Sequence, residues 1–139
     1  MSSISEATYL NWDIIPQVNI KKILNLNKIY SEKYYQEEDF RNKVNAVISN
    51  PSKLLSLHLS NCDYITDVST LSNVHTLDLE ECDGITDVSA LGKVHTLNLK
   101  NCRAITDVSA LGNVHTLDLR GCAGVTDVSA LGNVTNLVT

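Results

Sequence analysis

The chain predicts an α/β solenoid: short units stacked into one parallel β-sheet, closed on the other side by turns or 3₁₀ helices, with an α-helical cap at the N-terminal end. Three observations lead there. From residue 54 onward the sequence repeats every twenty residues, in HLSNCDYITDVSTLSNV, DLEECDGITDVSALGKV, NLKNCRAITDVSALGNV and DLRGCAGVTDVSALGNV. A fixed period of this length marks a stacked array, in which one unit cannot bury its apolar face alone. Within each unit HTLDL alternates apolar with polar, the period of a strand. Finally, the aromatic residues Trp12, Tyr30, Tyr34, Tyr35 and Phe40 crowd the first 40 residues, whereas the array holds only Tyr64. Two differently built segments therefore share the chain, a cap over 1–50 and repeats over 54–139, the latter about four plus a truncated fifth strand.

Laying the repeats on one another sorts residues into columns. Leu57, Leu77, Leu97 and Leu117 form one apolar column, Leu59, Leu79, Leu99 and Leu119 a second, and Ile65, Ile85, Ile105 and Val125 a third. The return segment ITDVSALGN carries Thr66 and Asp67, with their counterparts, just before a short apolar turn. That placement predicts capping. Four residues are too few for a stable α-helix, so the turn is expected to be 3₁₀. Gly92, Gly112 and Gly132 close it, where a chain leaving a helical turn often needs positive φ.

Two further columns carry reactive side chains. Cys62, Cys82, Cys102 and Cys122 recur once per repeat. They are expected as buried thiols donating weakly to nearby backbone. Disulfides between neighbours and a zinc site are the alternatives, disfavoured by in-register geometry and by a ladder that does not converge on a point. His75, His95 and His115 precede the strands, with Leu55 in their place in the first repeat. Stacking is the expected role, with metal binding or pH sensing as the alternatives. The Asp67, Asp87, Asp107 and Asp127 column lacks the dense oxygen run of a calcium loop. No catalytic residue, metal or cofactor is implied. Catalysis needs a convergent acid, base or nucleophile, and here the reactive side chains are copies in ladders.

Net charge is −5, and residues 1–53 hold seven Lys or Arg against six Asp or Glu, so the four basic and ten acidic residues of the array supply the deficit. A phosphate backbone asks for clustered Lys and Arg, so nucleic acid is not an expected partner. No apolar run approaches the roughly 20 residues that span a bilayer. A cytoplasmic protein is the expectation, with no membrane partner.

The phrase CxxITD resembles the cysteine-containing leucine-rich repeats found behind F-box domains, and ITDVSAL before LDL resembles the internalin type. The resemblance covers 54–139 and implies a right-handed leucine-rich-repeat solenoid with its sheet on the concave face. The near-identical tandem copies are similar to repeat proteins of giant DNA viruses. Such solenoids bind proteins on the concave face. There the outward residues vary between repeats: Ser56, His58 and Ser60; Thr76, Asp78 and Glu80; Thr96, Asn98 and Lys100; Thr116, Asp118 and Arg120. The expected partner-binding set is His58, Asp78, Glu80, Glu81, Asp83, Asn98, Lys100, Arg103, Asp118 and Arg120. The early repeats are acidic and the later ones basic, a gradient that would orient a charged partner. Drift of unselected surface residues is the alternative.

Residues 8–48 read as helices. Ile20, Ile23, Leu24, Asn27, Tyr30 and Tyr34 give an apolar stripe at spacings of three and four, and Asp39 precedes another with Phe40, Val44 and Val47. Pro16 marks a boundary or kink, and Asn50-Pro51-Ser52 the junction with the array. Residues 10–47 resemble an F-box, in which Val18, Ile23, Leu24 and Leu26 fit apolar positions, Tyr30 and Tyr34 stand for a valine and a tryptophan, and Phe40 replaces the last tryptophan. That resemblance implies a Skp-type adaptor, bound through Ile23, Leu24, Leu26, Tyr30, Tyr34 and Phe40, and a substrate receptor of a ubiquitin ligase. The alternative is a plain cap over the first repeat. At the other end VTNLVT begins a fifth array strand around Asn136 and Leu137, which predicts end-to-end dimerisation or a longer array.

Overall fold

In the computed structural model, residues 23–48 and 54–139 are described. Six strands form one sheet in sequence order, each parallel to the next. They are β1 (Ile23–Asn25), β2 (Leu54–His58), β3 (Thr76–Asp78), β4 (Thr96–Asn98), β5 (Thr116–Asp118) and β6 (Asn136–Val138). Helices α1 (Lys28–Gln36) and α2 (Glu38–Ile48) stand between β1 and β2. The array is thus an α/β solenoid with a two-helix cap.

The twenty-residue period becomes register. Leu57 pairs with Leu77, Leu77 with Leu97, Leu97 with Leu117 and Leu117 with Leu137, so each column is a row across the sheet. Leu55, Leu57, Leu77, Leu97 and Leu117 turn inward and are almost fully buried, together with Leu59, Leu79 and Leu99. Burying each such side chain contributes roughly 1.5–3 kcal/mol. On the opposite side the chain returns through 3₁₀ turns at Ser69–Leu71, Ser89–Leu91, Ser109–Leu111 and Ser129–Leu131, as the short VSAL phrase predicts.

Each 3₁₀ turn is introduced by an aspartate. Oδ1 of Asp67, Asp87, Asp107 and Asp127 accepts the backbone N–H of the serine two residues on, at 2.9 Å in every copy. Those hydrogen bonds from the serine hold each carboxyl below the usual carboxylate range.

The glycine expectation fails. Gly92, Gly112 and Gly132 have φ of −63, −62 and −60°, ordinary right-handed values. Close stacking accounts for two of them: a Cβ at Gly92 would lie 2.7 Å from the Ala110 carbonyl oxygen, and one at Gly112 2.8 Å from that of Ala130. Positive φ falls instead just before each cysteine, at Asn61, Glu81, Asn101 and Gly121.

The all-helical expectation for residues 8–48 also needs correcting. Ile23–Asn25 is a strand, paired residue for residue with Leu54–Ser56, and the first repeat thereby gains a neighbour on its open edge. Helix α1 begins only after Asn27, whose side chain accepts the Tyr30 N–H at 3.0 Å as an N-cap. The helical expectation for residues 8–22, the Pro16 boundary, the Val18 position and the Asn50-Pro51-Ser52 junction lie outside the described residues.

Candidate functional site

The face of the sheet turned away from the leucines is built by alternation. Between Leu57 and Leu59 stands His58, between Leu77 and Leu79 stands Asp78, and the same step places Asn98 and Asp118. One step further come Ser60, Glu80, Lys100 and Arg120. Register brings the sequence-expected partner residues of neighbouring repeats side by side, since His58 pairs with Asp78, Asp78 with Asn98 and Asn98 with Asp118.

Opposite charges in this set meet each other. Lys100 Nζ lies 3.2 Å from Glu80, and Arg103 Nη1 lies 3.7 Å from Asp83, both pairs spanning one period. Arg120 grips Asp118 with two donors, Nε to Oδ1 at 3.0 Å and Nη2 to Oδ2 at 2.6 Å. That grip draws the Asp118 carboxyl below its usual range. The Asn98 amide donates to Asp78 at 3.1 Å and to Glu80 at 3.4 Å. The acid-to-base gradient is therefore largely neutralised within the face, and all three basic side chains of the set hold an acidic partner. The signal was in the sequence: opposite charges one period apart become contacts. Glu81 and Asp83 lie exposed in the turn beyond the strand, Glu81 with φ +60°.

His58 stands apart from the rest. Its backbone N–H donates to Ser31 Oγ at 2.9 Å and its Nε2 lies 3.0 Å from Asn25 Oδ1, so cap residues engage the first repeat's outward side chain.

Beside the face runs the imidazole stack. His75 and His95 lie 4.6 Å apart between centroids and His95 and His115 4.5 Å, with planes tilted by 9 and 11°. Each Nδ1 shares a hydrogen bond with the hydroxyl of the following threonine, at 3.0, 3.0 and 3.1 Å. Partial burial, and then the neighbouring His95, lower the pKa of His75. Among the described residues no group of three His, Cys, Asp or Glu could hold a metal ion.

The thiols are free and buried. Sγ of Cys82, Cys102 and Cys122 donates to the carbonyl oxygen of Leu59, Leu79 and Leu99 respectively, at 3.1, 3.0 and 2.9 Å, so each thiol reaches back to the preceding repeat. Burial pushes Cys82 up to about 11 and Cys102 to about 12, which keeps both protonated and unreactive at neutral pH. Cys62 has Lys28 instead, whose Nζ donates to its sulfur at 3.7 Å and to the Ser60 carbonyl.

Of the side chains that the F-box resemblance assigns to an adaptor, Leu24, Leu26, Tyr30, Tyr34 and Phe40 are buried in the core shared with the first repeat, and Ile23 is exposed. Tyr34 has no exposed surface and donates to Asn45 Oδ1 at 2.7 Å, joining the two helices. Arg41 Nη1 donates to the carbonyls of Tyr34 and Tyr35 at the end of α1, at 3.0 and 2.9 Å. These residues tie the cap to the core of the first repeat, Ile23 excepted. Among the described residues no helix is long and apolar enough to cross a membrane.

The family model described as Leucine Rich repeat matches residues 50–69, which cover β2 and the approach to its 3₁₀ turn. No curated protein and no solved structure matches the chain. With that match in the first repeat, and the same strand and 3₁₀ turn recurring in register to residue 139, the fold is that of a leucine-rich-repeat α/β solenoid with a helical cap.

Proposed function

We propose that the chain is a non-enzymatic protein-interaction module that holds a protein partner on the outward face of its sheet. The observation that supports it is the division of labour between columns. Inward columns repeat Leu, Ile, Val and Cys, whereas the outward row His58, Asp78, Asn98, Asp118 and the next row Ser60, Glu80, Lys100, Arg120 change chemistry from repeat to repeat. A regular scaffold bearing irregular surface residues is how solenoids discriminate between partners. The internal ion pairs favour recognition by shape and hydrogen bonding over long-range charge steering.

The narrower form, an F-box-like substrate receptor of a ubiquitin ligase, asks residues 10–47 to hold a Skp-type adaptor. Burial of Tyr30, Tyr34 and Phe40 supports a plain cap instead. Self-association through the β6 end is a second reading, favoured by Val138 on β6 and by Val128, each 42 % exposed, the latter lining a hollow of about 240 Å³ with Leu119, Cys122 and Val125.

Affinity capture with the full chain, an Asn98→Arg/Arg120→Glu variant and a return-side Asn113→Arg control tests the module. A protein held by the wild type and the control but released by the face variant supports it; equal retention by all three refutes it. Purified Skp-type adaptor in the same assay, and light scattering of the free chain, test the two narrower readings.

A further inference from the structure

Tyr64 is the one aromatic residue of the array, in a column that holds Gly84, Ala104 and Gly124 in the later repeats. Stacking accounts for the small residues. A Cβ at Gly84 would stand 2.6 Å from the Asp63 carbonyl oxygen, and one at Gly124 would stand 2.7 Å from that of Ile105. In the first repeat this side faces α1 rather than another repeat, and a phenol fits. Tyr64 Oη donates to Glu32 Oε1 at 2.6 Å, and its ring lies 6.0 Å from that of Tyr35. The Tyr35 hydroxyl in turn donates to the Asp67 carbonyl at 2.9 Å. Two rings and one carboxylate thus clasp α1 to the turn after β2.

The clasp is open to solvent. Tyr64 is 45 % exposed, whereas Tyr30 and Tyr34 are buried and Tyr35 is half-buried. Asp63 precedes it and Glu32 receives its hydroxyl, an acidic setting of the kind that acid-directed tyrosine kinases recognise. We propose that Tyr64 is a phosphorylation site and that the phosphoryl group loosens the helical cap from the first repeat. In the transfer, Oη attacks the γ-phosphorus of ATP, the new O–P bond forms as the bond to the bridging oxygen breaks, ADP leaves, and the hydroxyl proton passes to the kinase's base.

The product reverses the contact. An ester oxygen has no hydrogen for Glu32, and the phosphate brings about −1.5 to −2 charges against that carboxylate. A donor–acceptor pair becomes a like-charge pair. Lys28 lies one helical turn before Glu32, but its ammonium is already bonded to Ser60 and Cys62. Across this joint β1 pairs with the edge of β2, and Leu24, Leu26, Tyr30 and Tyr34 of the cap share one buried core with the repeats. Opening it would offer a strand edge and apolar surface to another chain.

The test uses the full chain, an acid-directed tyrosine kinase, ATP, phosphosite mapping and amide hydrogen exchange. Phosphate at Tyr64 should raise exchange of residues 28–48 about tenfold and leave residues 76–118 unchanged, with a smaller rise in Glu32→Gln, where the carboxylate charge is gone. Tyr64→Phe should remove the phosphate and the response together. The proposal is overturned if Tyr64 stays unmodified while a peptide of residues 59–69 is phosphorylated, or if modified Tyr64 leaves cap exchange unchanged.

Discussion

The first repeat and the three behind it share one sequence pattern but have different neighbours on their N-terminal side. Behind Gly84, Ala104 and Gly124 stands another repeat, and the side chain there is nothing or a methyl group. Beside Tyr64 stands α1, and the side chain becomes a phenol with a carboxylate partner. The same holds for the thiols, where Cys82, Cys102 and Cys122 meet a carbonyl of the preceding repeat and Cys62 meets Lys28. Leu55 replaces histidine where β2 lies against β1. Position within the stack, more than position within the repeat, decides which substitutions are admitted.

Exchanging residues between the two environments should break that distinction. The largest effect is expected for Gly84→Tyr, which copies the first repeat's residue into the interior. Its Cβ would start 2.6 Å from a backbone carbonyl that cannot rotate away. Overpacking of this kind costs about 3 kcal/mol, read as a shift of the urea midpoint at unchanged slope. A variant as stable as the wild type would mean that the column is small for some other reason.

The histidine column sharpens the comparison through pH. The folded-state pKa of His75 lies below its ordinary value, chiefly through burial and then through His95. The unfolded chain therefore binds more protons as pH falls through about 6.5, and stability drops until the folded form also protonates. The His95 ring that contributes to this lowering stacks 4.6 Å from His75. Melts at pH 7.5 and pH 5 should show a larger loss in the wild type than in His75→Gln/His95→Gln/His115→Gln. Equal losses would remove the column from the account.

The smallest effect should come from Glu81. It holds φ of +60° at a position where Asn61 and Asn101 stand in neighbouring repeats. Asparagine tolerates the left-handed region better than glutamate, so Glu81→Asn should stabilise by about 0.5 kcal/mol. A loss would show that the Glu81 side chain makes a compensating contact.

What could be seen in the sequence follows from repetition. The strand, the 3₁₀ turn, the capping aspartates and the inward leucines were each written four times, and the copies corroborate one another. β1 was written once. Its three residues sit inside a stripe at helical spacing, and its partner Leu54–Ser56 lies beyond two helices, so local pattern favoured a helix. The positive-φ column was hidden because Asn, Glu, Asn and Gly do not spell one preference. Glycines after the 3₁₀ turns misled for a related reason: glycine serves close approach as well as unusual φ, and composition does not separate the two. Internal pairing of the face charges could be inferred from Glu80 with Lys100 and Asp83 with Arg103, but only once strands were known to stack without a register slip.

The backward reach of each thiol bears on how such a chain can lengthen. A twenty-residue duplication placed after Cys102 would arrive with its own S–H for the carbonyl left waiting by the preceding copy, and would leave an equivalent carbonyl for the next. Every seam is self-templating, so copy number can change by in-frame duplication without inventing a new joint. Among the described residues the first joint, where Lys28 and Glu32 of α1 meet Cys62 and Tyr64, is built differently from the rest, and it sets where counting starts.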